Sequence, residues 1–238
     1  MPPMARSALL LDMDGTLLDI APTPGSVVVP PYLLNSLRVL TRTLGGALAV
    51  VSGRPVAQID SLLQSTPYAA SGEHGGALRF GHGAALQRGA LPEPPAQWLT
   101  TAAAWVGCHP GTLLEFKARG FVVHFRAVPE LGAAAEAMLA AMIADDRKFA
   151  LMPARKAWEV RPAGADKGTA VAALMARAPF AGRLPIFIGD DVTDEDGFAA
   201  ATAQGGTGLL VAPTFGDPQG VRDWLAASAA AGEWAPIR

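Results

Sequence analysis

Three short apolar runs, each ending in a small, polar, glycine-containing segment, limit what this chain can fold into. Residues 8–11 run into Asp12-Met13-Asp14-Gly15-Thr16, residues 47–51 into Ser52-Gly53-Arg54, and residues 185–188 into Gly189-Asp190-Asp191. Apolar runs of this length without alternation suit strands buried on both faces, the pattern of a parallel sheet covered by helices. Residues 31–44 carry the spacing of an amphipathic helix, so a right-handed β-α-β unit is expected between the first two runs. A helix near 56–63, a strand at 68–70 and a glycine-rich hairpin through Gly75-Gly76 should follow. The alternation resumes with a helix from Lys167, another at 195–201 and a strand at 209–212.

The middle of the chain breaks this rhythm. After Leu91-Pro92-Glu93-Pro94-Pro95, which has the composition of a linker, residues 97–162 suggest a helix, two strands, a helix and two strands. We therefore expect an α/β doubly wound core from residues 1–92 and 163–238, with a smaller α+β module at 93–162 inserted into it. Half of the 238 residues are hydrophobic, enough for a sizeable core. A net charge of −2 with 17% charged residues offers no basic field for nucleic acid, so small-molecule chemistry is expected. No stretch suits a membrane span or a secretory signal, and the one cysteine, Cys108, is expected as a small core residue. A cytoplasmic monomer is the expected state.

Ligands of an open parallel sheet bind beyond the carboxyl ends of its strands, and Asp12, Ser52 and Asp190 all occupy that edge. Side chains alternate along a strand, so Asp12 and Asp14 can converge only if the chain turns at once, which Gly15 permits. An Asp-Gly turn closing a buried strand is the structural alternative. Ser52-Gly53-Arg54 brings a hydroxyl, backbone N–H groups and a guanidinium towards a helix start, an anion-binding setting that also serves as a plain cap. Lys167 opens a helix, where it either neutralises phosphate or stands as a surface charge. Asp190, Asp191, Asp194, Glu195 and Asp196 crowd seven positions and repel one another unless a cation or base offsets them. Asp194 and Glu195 are also favourable at a helix N-terminus, an explanation that does not extend to Asp190.

In this order, DxDGT at 12–16, SGR at 52–54, a distant Lys167 and GDDxTDE at 189–195 resemble the haloacid-dehalogenase-like (HAD) phosphatases. The resemblance implies a HAD-like doubly wound parallel core with the inserted module as its cap. It implies Asp12 as nucleophile, forming an aspartyl phosphate, and Asp14 as general acid and base. Mg would be held by Asp12, the backbone carbonyl of Asp14 and Asp190. Ser52, the Gly53 amide and Lys167 would hold the transferring oxygens. Thr16, Asp191 and Asp194 are expected in support, the two acids orienting Lys167 or metal-bound water.

The inserted module carries its own pattern. Glu115, Lys117 and Arg119 alternate with Leu114, Phe116 and Ala118; His124 and Arg126 with Val123, Phe125 and Ala127; Glu159 and Arg161 with Trp158 and Val160. Three strands thus offer one apolar face for helices and one face of mixed charge. A solvated sheet face would look the same, yet carboxylates and guanidinium groups at fixed spacing suit the hydroxyls of a sugar. With Gly72-Glu73-His74-Gly75, this pattern resembles the trehalose-6-phosphate phosphatase family. That implies hydrolysis of trehalose 6-phosphate, the last step of trehalose biosynthesis, with Glu115, Lys117, His124, Arg126 and Glu159 holding the disaccharide and with His74 and Arg54 near the site's mouth. His82 and His109 are expected to be structural or exposed, without partners. Sucrose phosphate or a mannosyl-phosphoglycerate would also suit this core. A non-catalytic sugar-phosphate sensor would lack Asp12, Asp14, Lys167 or Asp190, and all four are present.

Overall fold

The computed structural model describes residues 1–21, 26–89, 91–117 and 119–237. The chain divides into two compact units, Met1–Gly89 with Asp166–Arg238, and Ala90–Ala165. It begins with β1 (Ser7–Leu11), α1 (Pro31–Thr43), β2 (Leu48–Val51), α2 (Val56–Leu63) and β3 (Ala69–Gly72). A hairpin then adds β4 (Ala77–Arg79) and the two-residue β5 (Gln87–Arg88).

The second unit holds α3 (Ala96–Cys108), β6 (Leu113–Lys117), β7 (Gly120–His124), α4 (Gly132–Ile143), β8 (Phe149–Ala154) and β9 (Ala157–Pro162). Its four strands form an antiparallel sheet in the order β6-β7-β9-β8. Leu114, Phe121, Val123, Phe149, Leu151, Trp158 and Val160 share a core with Trp98, Ala102 and Trp105 of α3 and with Ala135 and Leu139 of α4. Phe116 departs from its expected place in that core, being 64% exposed on the edge strand. Ala118, expected beside it, lies outside the described residues.

Back in the first unit follow α5 (Lys167–Met175), β10 (Leu184–Gly189), α6 (Glu195–Ala203), β11 (Thr207–Leu210), α7 (Val211–Phe215) and α8 (Pro218–Ala231). The sheet runs β11-β10-β1-β2-β3-β4-β5, parallel from β11 to β3 and antiparallel thereafter. All five residues of β1 are buried, as a central strand covered on both faces requires. Leu33, Leu37 and Leu40 of α1, Val221 and Leu225 of α8, and Val171 and Leu174 of α5 complete the core. Strand order reverses at β1, with β2 and β3 on one side and β10 and β11 on the other. A switch point of this kind opens a crevice beyond the strands' carboxyl ends. This is the HAD-like doubly wound α/β fold expected from the sequence.

Several local expectations are corrected. The last strand is Thr207–Leu210 and not 209–212, because β10 ends at Gly189 opposite Leu210 and offers no edge beyond it. Residues from Val211 onward turn into α7 instead. Similarly, β7 stops at His124, where its neighbours β6 and β9 also run out at Leu113 and Ala157. A turn closed by the Val128 amide on the Phe125 carbonyl at 3.0 Å follows, so Arg126 is exposed in a turn and shares no strand face with His124. Arg119 likewise follows the end of β6 and pairs with Glu93 at 2.7 Å. Cys108 is exposed at the end of α3. His109 has partners after all, stacking on Trp105 and meeting its carbonyl through Nδ1 at 2.7 Å, while exposed His82 packs edge-on to Tyr68.

Candidate active site

Asp12 continues β1 by one residue, its amide donating to the Ile188 carbonyl at 2.9 Å. The chain then closes on itself. The amides of Leu17 and Leu18 both donate to the Met13 carbonyl at 2.9 Å, and the Gly15 amide donates to the Leu18 carbonyl at 2.7 Å. Gly15 has a φ of +88°, and a Cβ there would lie 2.1 Å from an Asp190 carboxylate oxygen. Glycine is therefore required twice, for its conformation and for the close approach of Asp190. Thr16 ties the same loop to β10 by donating to Asp190 Oδ1 at 3.3 Å.

Lys167 reaches this edge from the first position of α5. Asp166 caps that helix, its carboxylate accepting from the Thr169 amide at 2.6 Å, while the Asp166 amide donates to the Thr169 hydroxyl oxygen at 3.3 Å. Such a box fixes the direction in which the helix enters. The Lys167 ammonium is buried and donates to Asp12 Oδ1 and to Asp194 Oδ1, both at 2.6 Å. The other Asp194 oxygen accepts from the amides of Asp190 and Asp191 at 3.0 and 3.2 Å. Asp194 is thus far more than a helix cap: with no exposed surface, it links Lys167 to the loop after β10. Asp191 stays exposed and bonds the amide and hydroxyl of Thr193 at 2.8 and 2.7 Å.

Oxygens of Asp12, Asp190 and Asp194 lie within 4.8 Å of one another. Three carboxylates here face one ammonium, an excess of two negative charges in a largely buried setting. Burial pushes the Asp12 carboxyl well above the usual carboxylate range; Lys167 pulls the other way, and Asp194 and Asp190 add to the rise. Burial likewise, with help from Asp191 and Asp194, pushes Asp190 up to about 6. Burial opposes the Lys167 charge, but Asp12 and Asp194 offset it and hold the ammonium protonated beyond the normal lysine range. Crowded, oxygen-only donors with surplus negative charge fit a hard divalent cation such as Mg.

Asp14 has different company. Arg54 grips it through two bonds, Nε to Oδ2 and, at 2.7 Å, Nη2 to Oδ1, while Arg54 Nη1 donates to Gln58 Oε1 at 3.3 Å. Arg54, expected near the mouth of the site, is brought to the second acid of the opening motif. Ser52 is buried after β2, its hydroxyl accepting from the Arg54 amide at 3.2 Å. The His74 amide donates to the Ser52 carbonyl at 3.1 Å, and a Cβ on Gly53 would meet the His74 imidazole at 2.4 Å. Glu73 and His74 both hold positive φ, +55° and +53°, which seats that imidazole against Gly53.

In the second unit, cross-strand register puts Glu115, Lys117, His124, Glu159 and Arg161 on one sheet face. His124 Nε2 meets Glu115 Oε2 at 2.8 Å, and Lys117 donates to Glu159 at 3.0 Å. The His124 hydrogen bond is the chief reason that the Glu115 carboxyl sits below its ordinary value. The alternation of the sequence showed this face, but not its pairing.

With this geometry in hand, comparison with known proteins is decisive. Residues 10–219 match the trehalose-phosphatase family model. The chain belongs to that family. The trehalose-6-phosphate phosphatase of Escherichia coli (strain K12) is 36% identical over 208 residues, covering 87% of this chain and 78% of that protein. Among solved structures, the C-terminal domain of Candida albicans trehalose-6-phosphate phosphatase superposes with a TM-score of 0.78 at 22% identity, covering 95% of this chain and 93% of that one. The Aspergillus fumigatus trehalose-6-phosphate phosphatase gives 0.61 at 25% identity, covering 95% and 94%. As a trehalose-phosphatase, this chain is a phosphoric monoester hydrolase.

Proposed function

We propose that the chain hydrolyses trehalose 6-phosphate to trehalose and phosphate by two displacements at Asp12, as the last step of trehalose biosynthesis. The observation that carries this reading is the buried contact of Asp12 with Lys167, beside Asp190, in a member of the trehalose-phosphatase family. In the first displacement an Asp12 oxygen attacks phosphorus, the bond from phosphorus to the sugar oxygen breaks, and Asp14 gives that oxygen a proton. In the second, water attacks phosphorus and yields its proton to Asp14 as the bond to Asp12 breaks. Both Asp14 oxygens accept from Arg54 in this structure, so proton transfer requires one of them to be released to the sugar.

Lys167, the Ser52 hydroxyl and the Gly53 amide hold the transferring oxygens, where positioning and electrostatics dominate the chemistry. Asp12, Asp190 and the backbone carbonyl of Asp14 would hold Mg, with Thr16 and Asp194 fixing Asp190 and Lys167. Bound there, Mg would screen the two anions so that carboxylate can approach phosphate. Sugar recognition falls to Glu115, Lys117, His124 and Glu159, whose mixed charges suit many hydroxyls, with Arg126, His74 and Arg54 as further contacts.

Among the described residues no helix is long and apolar enough to cross a membrane. A cytoplasmic monomer completes the proposal, checked by fractionation and light scattering. The direct test is phosphate release from a panel of sugar phosphates with and without Mg. Preference for trehalose 6-phosphate with a need for Mg is expected; faster release from sucrose phosphate or a mannosyl-phosphoglycerate would move the substrate while keeping the reaction.

A further inference from the structure

Arg222 lies on α8 within the buried set Val221, Arg222, Trp224, Leu225 and Ser228. Its side chain is 4% exposed, and its Nε has no hydrogen-bond partner among the described residues. Burying a guanidinium is costly, and leaving one of its N–H groups unmet adds to the cost. A leucine or methionine would fill this helix face without either penalty, so packing does not account for the residue. Its contacts do. Nη1 donates to the Leu17 carbonyl at 3.1 Å, and Nη2 to the Asp19 carboxylate at 3.2 Å and to Gln219 Oε1 at 2.9 Å.

Leu17 belongs to the loop that carries Asp12 and Asp14. The amides of Gly15, Leu17 and Leu18 are satisfied within that loop, and Thr16 is tied to Asp190. The Leu17 carbonyl is where the C-terminal helix takes hold of it. We infer that Arg222 is a positioning residue, a clamp from α8 that sets the loop at 12–18 and, through it, the mutual placement of Asp12, Asp14 and Asp190. The stretch that matches the family ends at residue 219 and does not include it. The kinetic part of the inference rests on the phosphatase reading; the structural part does not.

Arg222→Met and Arg222→Lys are compared with the wild type by amide hydrogen exchange and by steady-state hydrolysis of a small aryl phosphate in the presence of Mg. In Arg222→Met, exchange over residues 13–18 should accelerate about tenfold more than over β2 and β3, because only the clamped loop loses its brace. Turnover should fall by about tenfold with KM changed less than about twofold, as expected when catalytic groups are displaced without loss of a binding contact. Arg222→Lys, which keeps one donor for the Leu17 carbonyl, should recover part of both. Wild-type exchange and turnover in Arg222→Met would overturn the inference. So would equal acceleration across the whole sheet, since Arg222 would then serve only global stability. A wild type that released no phosphate from any ester would instead count against the phosphatase reading, and the exchange pattern would still decide the role of Arg222.

Discussion

The carboxyl edge of the first unit and the polar face of the second both consist of charged pairs, yet they are assembled in opposite ways. At the edge, Asp12, Lys167 and Asp194 come from three separate elements, and their side chains are at most 5% exposed. On the second unit's sheet, Glu115 with His124 and Lys117 with Glu159 pair across neighbouring strands, with exposures from 8 to 42%. Buried charges without solvent compete strongly for one another and hold a single geometry. Partly wet pairs lose less when a hydroxyl replaces one partner. Under the proposed function, one region is therefore preorganised for charge that develops during reaction, and the other keeps pairs that a sugar hydroxyl can displace.

Substitutions in the two regions should separate accordingly. Lys167→Met should lower turnover by about 10³ on trehalose 6-phosphate and on a small aryl phosphate alike, because in the proposed mechanism it removes the cation that holds the transferring oxygens. A large loss on only one of the two substrates would break the comparison. Glu115→Ala should lower kcat/KM for trehalose 6-phosphate by about 10², since the site is left with unmatched polar groups, and should leave the aryl phosphate within about threefold. Equal losses on both would remove the second unit from recognition.

The smallest expected effect concerns pH. Asp190 is raised to about 6 from an ordinary value of 3.8, chiefly by burial. A carboxyl whose folded pKa is raised contributes stability that is fully present below its unfolded value and lost as pH rises through its folded value. The metal-free protein should therefore lose this contribution between about pH 4 and 6, while Mg, which requires the carboxylate, should raise the melting temperature by a margin that grows over the same window. A Mg-induced shift that is constant from pH 5 to 7.5 would remove Asp190 from the metal site.

The contrast also explains how far the sequence could be read. Strands buried on both faces leave uninterrupted apolar runs, so β1, β2 and β10 and the polar segments at their ends, Asp12, Ser52 and Asp190 among them, were legible. The two-residue period of β6, β7 and β9 likewise exposed the charged face. Pairing across sequence distance was not legible: nothing near residue 54 indicates that Arg54 grips Asp14, or that Arg222, an arginine among apolar residues of α8, meets the Leu17 carbonyl. Strand ends failed for a related reason. Whether Arg126 or Val211 continues a strand depends on whether a neighbour still offers backbone partners, and the neighbours stop at Leu113, Ala157 and Gly189. Cys108 was misplaced because a small apolar residue at a helix end gives no sign of which side it faces.

The proposed nucleophile is Asp12, which the Lys167 contact holds in place and whose carboxylate no amide can replace in that role. Phosphate release from trehalose 6-phosphate in the presence of Mg, measured for the wild type and for Asp12→Asn, tests it. Steady release by the wild type and a loss of about 10⁴ in the variant are expected. A variant that keeps its activity within about tenfold of the wild type would contradict it.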